Sequence, residues 1–248
     1  TLAVGGSAWS IHLSPTQARL SSCKTLTATL VVTIPDGAGV DARAVTTVEI
    51  HSVLQPARQV LTFTSKTPAP VLLVDDDRWY PMEDYYTQAL HAAGIPYDLW
   101  DTKHSLGGIP GVRSPATETL TSYPFVVWFT GYDWFAPVRD EEAARLVAYL
   151  ERGGRLMLTS QSFLMYHVED RLAQALGINT VDWAYEPTEA VGVTDHPAGG
   201  GWGPVALDYP YQNWSYTVEP KPAAEIIIRG QLDQPLAIAA RAQVAGRR

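Results

Sequence analysis

Val71-Leu72-Leu73-Val74-Asp75-Asp76-Asp77 decides how this chain is read. Four apolar residues run straight into three carboxylates. The apolar run does not alternate, so it reads as a strand buried on both faces, as strands of parallel sheets are. The residues beyond Asp77 keep that pattern. Pro81 is expected to open a helix at its first position, with Glu83 and Asp84 in the first turn. Met82, Tyr85, Tyr86, Ala89, Leu90 and Ala93 form its apolar stripe, and Gly94 ends it. Tyr97–Trp100 reads as a second strand, residues 102–122 as a long loop, and Phe125–Phe129 as a third strand. Asp140 is expected to cap a helix that turns Ala143, Leu146, Val147 and Leu150 inward and closes at Gly153-Gly154. Arg155–Thr159 is a fourth strand, and a helix is expected from about Phe163 to Leu176. Alternating strands and helices imply a parallel α/β sheet with helices on both faces.

On the other side of the stretch the composition changes. Residues 7–65 are rich in Thr, Ser and Val. Ala8–Leu13, Thr25–Ile34, Ala44–Ile50 and Gln59–Thr64 alternate with period two, punctuated by Pro35-Asp36-Gly37 and Gln55-Pro56. This predicts a small all-β sandwich over 1–67. Thr67-Pro68-Ala69-Pro70 is a stiff linker, and the α/β domain is expected over 68–248. Beyond Asn179 the chain is rich in Gly, Pro and aromatics, with strands expected at Ala190–Val193, Ala224–Ile228 and Leu236–Ala239. These read as β-additions to the edge of the parallel sheet. Gln243–Arg248 looks like the lead-in to another strand, so the domain is expected to be truncated there and the parent chain to continue.

The 248 residues carry a formal net charge of -8, with Arg247-Arg248 as the only adjacent basic pair. A nucleic-acid partner needs a basic face, so that class is set aside. No apolar run reaches the length of a membrane span. The single cysteine, Cys23, excludes an intrachain disulfide and a cysteine-based zinc site. Apart from a Ca²⁺ or Mg²⁺ ion, no cofactor is implied.

Ligands of open parallel sheets sit beyond the carboxyl ends of the strands. Three such ends matter: Asp75–Asp77, Thr130-Gly131 and Ser160-Gln161-Ser162. The carboxylates suit Ca²⁺ or Mg²⁺. Successive residues of a strand point to opposite faces, so at most two converge, and Asp75 and Asp77 are the metal candidates. The structural alternative has the three carboxylates satisfying backbone donors, capping the next helix and pairing with Arg78. A phospho-receiver domain would also begin with such a cluster. It needs an acceptor Asp at the end of the third strand, where this chain has Trp128-Phe129-Thr130-Gly131.

Four segments together, VLLVDDD (71–77), YYTQALHAAGIPYDLWD (85–101), FVVWFTG (125–131) and EEAARLVAYLERGGRLMLTSQSFL (141–164), resemble the class I glutamine-amidotransferase-like (flavodoxin-like) domain. The version appended to secreted bacterial peptidases and surface proteins is the most similar, and there a fibronectin/immunoglobulin-like module often precedes it. The resemblance covers residues 71 to about 240. It implies a non-catalytic accessory region of a secreted or cell-surface multidomain protein, with the parent's other domains as partners. Active members place a cysteine on the strand-to-helix elbow. Here the elbow is Thr159-Ser160-Gln161-Ser162, without cysteine. The remaining catalytic candidates are Ser160 or Ser162 with His196, oriented by Asp195 or Glu189, as in a degenerate hydrolase. Leu158 beside Ser160 is bulkier than a nucleophile elbow prefers.

Trp and Tyr make 20 of the 248 residues, many in expected loops. Trp79, Tyr132 and Trp134 flank the expected ligand edge. With Asp75, Asp76, Asp77, Thr130 and Gln161 they are the ligand-binding candidates, for a glycan or a protein surface. Tyr80, Phe135, Trp183, Tyr185, Trp202, Tyr209, Tyr211, Trp214 and Tyr216 are further loop aromatics. Ala198–Gly203 reads as a flexible turn rather than a phosphate loop, since no Lys-Ser/Thr comes after it.

Overall fold

The computed structural model describes residues 1–52, 57–102, 114–135, 137–182, 186–200 and 202–241. Trp183, Tyr185, most of the 102–122 loop and the Gln243–Arg248 segment lie outside the described residues. Two compact units are present, Thr1–Ala69 and Pro70–Arg248.

The first unit is all-β. Strands β1 (Leu2–Gly5), β4 (Arg43–His51) and β5 (Arg58–Lys66) form an antiparallel sheet in the order β1-β4-β5. Strands β2 (Ser10–Ser14) and β3 (Thr29–Thr33) pair separately. β1 carries no alternating signal in the sequence and adds to the expected strands. On β4 the pleat buries Ala44, Thr46 and Val48. β5 is exposed along both faces, Val60, Leu61 and Phe63 included.

The second unit is built on four parallel strands in the order β7-β6-β8-β9: β6 (Val71–Asp75), β7 (Tyr97–Asp101), β8 (Phe125–Phe129) and β9 (Arg155–Thr159). Val71 lies opposite both Tyr97 and Phe125, and Phe125 opposite Arg155, so the four strands run in step. Every residue of β6 is buried. The pleat sends Leu72, Val74, Val126 and Trp128 to one face, in a core with Leu146 and Val147 of α3 (Asp140–Glu151) and Leu172 of α5 (Arg171–Ala175). Leu73, Val127 and Phe129 go to the other, with Met82, Tyr86 and Leu90 at α1 (Glu83–Ala92). The Tyr86 ring stacks on Phe129 at 4.1 Å. Each such side chain, fully buried, contributes about 1.5–3 kcal/mol. A short helix, α2 (Thr117–Leu120), precedes β8.

Several local expectations are corrected. α1 starts after Met82, not at Pro81, because the Met82 N–H is held by the Asp77 carboxylate at 2.9 Å. Tyr85 and Ala89 of the expected stripe are exposed, so α1 meets the sheet along a narrow line. At α3 the capping position is Arg139, with Asp140 the first helical residue; the Arg139 N–H donates to Glu142 at 2.8 Å. The helix expected over 163–176 is two, α4 (Phe163–His167) and α5. Asp170 breaks it: one carboxylate oxygen accepts from the Ala173 N–H at 2.9 Å, and the other meets His167 Nδ1.

The C-terminal strands do not extend the parallel sheet. β10 (Ile178–Asp182) pairs with β13 (Thr217–Pro220). β11 (Glu189–Gly192), β12 (Val205–Ala206), β14 (Ala224–Gly230) and β15 (Pro235–Ala240) form a separate antiparallel sheet in the order β12-β11-β14-β15. These strands pair among themselves, and Ile178, Val218 and Ile238 pack onto the α3–α5 core. The glycine-rich turn is tightly packed rather than loose. A Cβ at Gly199 would lie 2.2 Å from the Ile227 carbonyl.

Candidate functional site

The parallel order brings the carboxyl ends of β6, β8 and β9 to one edge of the sheet, and the acidic stretch divides there by pleat. Asp76 turns toward the α3–α5 core, 1% exposed. Its two oxygens accept from the Thr102 hydroxyl at 2.8 Å and from the Trp128 indole N–H at 3.1 Å. Asp76 is therefore a structural acceptor, not a ligand-facing group. Asp75 and Asp77 turn to the opposite side, both buried. Asp75 accepts from the Asp77 N–H at 3.3 Å, and its carbonyl accepts from the Thr102 hydroxyl.

Glu83, in the first turn of α1, completes the cluster: one oxygen from each of Asp75, Asp77 and Glu83 lies within 4.8 Å of the others. Oxygens gathered this closely suit a hard divalent cation. Burial pushes the Asp75 carboxyl up to about 6 and the Asp77 carboxyl up to about 8. For Asp77 the neighbouring charge of Asp75 adds to that rise, against the donated Met82 N–H. Asp77 therefore carries a proton near neutrality unless a cation replaces it.

Arg78 does not pair with this cluster. Held at φ +66°, it reaches across to Asp133 and to the Phe135 carbonyl, stitching the loop after β6 to the loop after β8. Asp133 is thus already committed, and among the described residues no carboxylate stands free at the third strand end for the receiver chemistry. Gly131, at φ +51°, allows the two loops to meet: a Cβ there would lie 2.9 Å from Met82 Cγ and 3.2 Å from Asp77 Cβ.

At the elbow, Ser160 Oγ accepts from the Thr130 hydroxyl at 2.7 Å and from the Phe163 N–H at 3.0 Å. The serine closes the turn into α4. His196 is engaged elsewhere, with Glu225 at 3.5 Å and the Ala198 N–H at 3.1 Å, so its acidic neighbour is neither Asp195 nor Glu189. His167, buried on α4, is held between Asp170 and the Val138 carbonyl. Among the described residues, no hydrogen bond joins a histidine to Ser160 or Ser162.

A cleft of about 440 Å³ opens beside the elbow. Tyr80 comes from the loop after β6, Tyr132 and Trp134 from the loop after β8, and Gln161, Ser162 and Met165 from the elbow and α4. The far wall is a run between β12 and β13: Tyr211, Gln212, Trp214 and Tyr216. Tyr80, Tyr132 and Tyr211 pack on one another with centroids 5.1–5.9 Å apart, Tyr211 edge to face with both others and Tyr80 tilted at 48° to Tyr132. Burial raises the Tyr132 hydroxyl above the usual phenol range, so it stays a neutral donor. Gln161 Oε1 is buried without a hydrogen-bond partner, an omission that costs about 1–3 kcal/mol.

Of the sequence candidates, the cleft gathers Tyr132, Trp134, Gln161 and Ser162. Thr130 lies beneath it, fully buried. Trp79 is not part of the lining; it stands half exposed against Tyr80 and Phe135. Tyr80 joins the lining from among the loop aromatics, and Met165 and Gln212 join it without having been singled out by the sequence. The dense aromatic run from Tyr209 to Tyr216 was the available signal for the far wall, but nothing local told where it folds back.

No protein-family model matches the chain, and no curated protein matches it. Among solved structures, the chain is similar to a glutamine amido transferase from Methylobacillus flagellatus, at 14% identity and a TM-score of 0.40, over 73% of this chain and 71% of that one.

Proposed function

We propose that this chain is a non-catalytic accessory region of a longer secreted or cell-surface bacterial protein of the peptidase kind, and that its α/β unit is a binding module. In this reading a fibronectin/immunoglobulin-like sandwich over 1–67 presents an amidotransferase-like domain over 68–248. The partners are the parent's other domains and a glycan or protein surface. The observation that carries it is the aromatic cleft at the strand ends, standing where an amidotransferase-like site would hold its nucleophile. Two further features support it. The elbow has no cysteine. Its serine spends its acceptor capacity on Thr130 and Phe163.

The carboxylate trio favours a second use of the same edge, a Ca²⁺ or Mg²⁺ site formed by Asp75, Asp77 and Glu83. Such an ion would brace the loop that carries Tyr80.

A fluorophosphonate probe and a glutamine-hydrolysis assay test the absence of chemistry. The expected result is no labelling at Ser160 or Ser162 and no turnover above that of Ser160→Ala. Labelling of Ser160, or turnover lost in Ser160→Ala, would establish the hydrolase instead.

A further inference from the structure

The aromatic cleft also has a definite ligand chemistry. Resting on the binding-module reading above, we propose that it takes a neutral saccharide, one sugar ring lying against Trp134 and Trp214 with its hydroxyls on Gln161, Ser162 and Gln212.

Charge narrows the choice first. The ten lining residues include no Asp, Glu, Lys, Arg or His, although the chain as a whole carries 44 charged residues (26 acidic, 18 basic). An acidic or basic ligand group would be buried there without a counter-charge, which is strongly unfavourable. Geometry then separates the neutral alternatives. A quaternary ammonium group needs ring faces spaced around it. Tyr80, Tyr132 and Tyr211 instead pack on one another at 5.1–5.9 Å, leaving no room among them. A proline-rich strand also docks on aromatics, but its prolines bring no N–H donors.

Gln161 asks for a donor. Its Oε1 is buried without a partner, and the residue lines the cleft. A sugar hydroxyl both donates and accepts, so it satisfies either end of an amide and also the Ser162 hydroxyl. The flat surfaces are present as well. Trp134 and Trp214 are 52% and 54% exposed, and Phe135 backs Trp134 at 4.1 Å. An indole face is electron-rich and attracts the C–H face of a sugar ring while displacing water from both. The volume, about 440 Å³, is in the range of small-ligand sites.

The test uses the whole chain, with tryptophan fluorescence and saturation-transfer NMR. The probes are maltose, cellobiose, mannobiose and N,N′-diacetylchitobiose, with digalacturonate and a proline-rich decapeptide alongside. The expected result is saturable binding of at least one neutral disaccharide. Trp134→Ala and Trp214→Ala should each weaken it about tenfold, while Trp202→Phe leaves it unchanged. Gln161→Leu, a milder change, should weaken it with the fold intact by circular dichroism. Binding of only digalacturonate or only the peptide would overturn the neutral-saccharide assignment and leave the binding-module reading standing. Neutral-sugar binding indifferent to the Trp134, Trp214 and Gln161 changes would overturn the site. No binding by any probe would overturn both.

Discussion

Replacing Asp77 by Asn should change how the stability of the α/β unit depends on pH. The folded-state carboxyl of Asp77 is raised to about 8 by burial and by Asp75, against roughly 3.9 for an unfolded aspartate. From pH ~4 upward the folded state therefore holds a proton that the unfolded state has released. The stability this proton supplies is complete in acid, declines as pH rises, and is gone above about 8. Linkage limits the slope to about 1.4 kcal/mol per pH unit for one proton, and solvent reaching the cluster lowers it. Asp75, raised to about 6, adds a second decline that ends earlier. Asn keeps an acceptor for the Met82 N–H, bonded at 2.9 Å, and cannot ionise. Urea unfolding at pH 5, 6, 7 and 8 in EDTA, monitored by tryptophan fluorescence, reads this unit, because seven of the eight tryptophans lie beyond Pro70. Asp77→Asn should gain on the wild type at each step up in pH. A difference that is flat over this range, or that moves in favour of the wild type, would refute the reasoning. Repeating the pH 8 point with Ca²⁺ or Mg²⁺ tests the second use of the trio. A bound ion should raise the wild-type midpoint and leave Asp77→Asn where it was.

Two further substitutions separate scaffold from site. Asp76→Ala should destabilise the unit by about 1–3 kcal/mol, since it strands the Trp128 indole N–H in the core and leaves the Thr102 hydroxyl only the Asp75 carbonyl, and Asp76→Asn by less; chemical denaturation measures both. Gly131→Ala should cost about 2–4 kcal/mol in a thermal melt, from the left-handed backbone and the approach to Met82 and Asp77.

Legibility in the sequence tracked the range of the interactions. Val71–Val74 and Phe125–Phe129 announced buried strands because a sheet covered on both faces leaves no polar position to alternate with. The pleat told that Asp75 and Asp77 would part from Asp76, since that depends only on neighbouring residues. Glu83 was legible as a first-turn residue but not as the third member of the trio, because its place depends on where the 76–82 loop sets α1. The break between α4 and α5 arises from Asp170 bonding to Ala173 and His167, a local competition that an apolar period does not register. The far wall of the cleft is the hardest case. Tyr211 and Trp214 are some 50 residues from the elbow, and only the tertiary fold brings them beside Gln161.

The exposed strand β5 has a consequence for the molecule at high concentration. Val60, Leu61 and Phe63 make a sticky rim, and among the described residues β5 has one strand neighbour only. Such an edge invites another chain to add to it. Two copies pairing antiparallel about Thr62 would set Arg58 opposite Lys66 at each end of the new ladder. The repulsion of these like charges, softened by Glu49 at Arg58 and Asp41 at Lys66, works against symmetric growth, so the terminal cations act as gatekeepers of solubility.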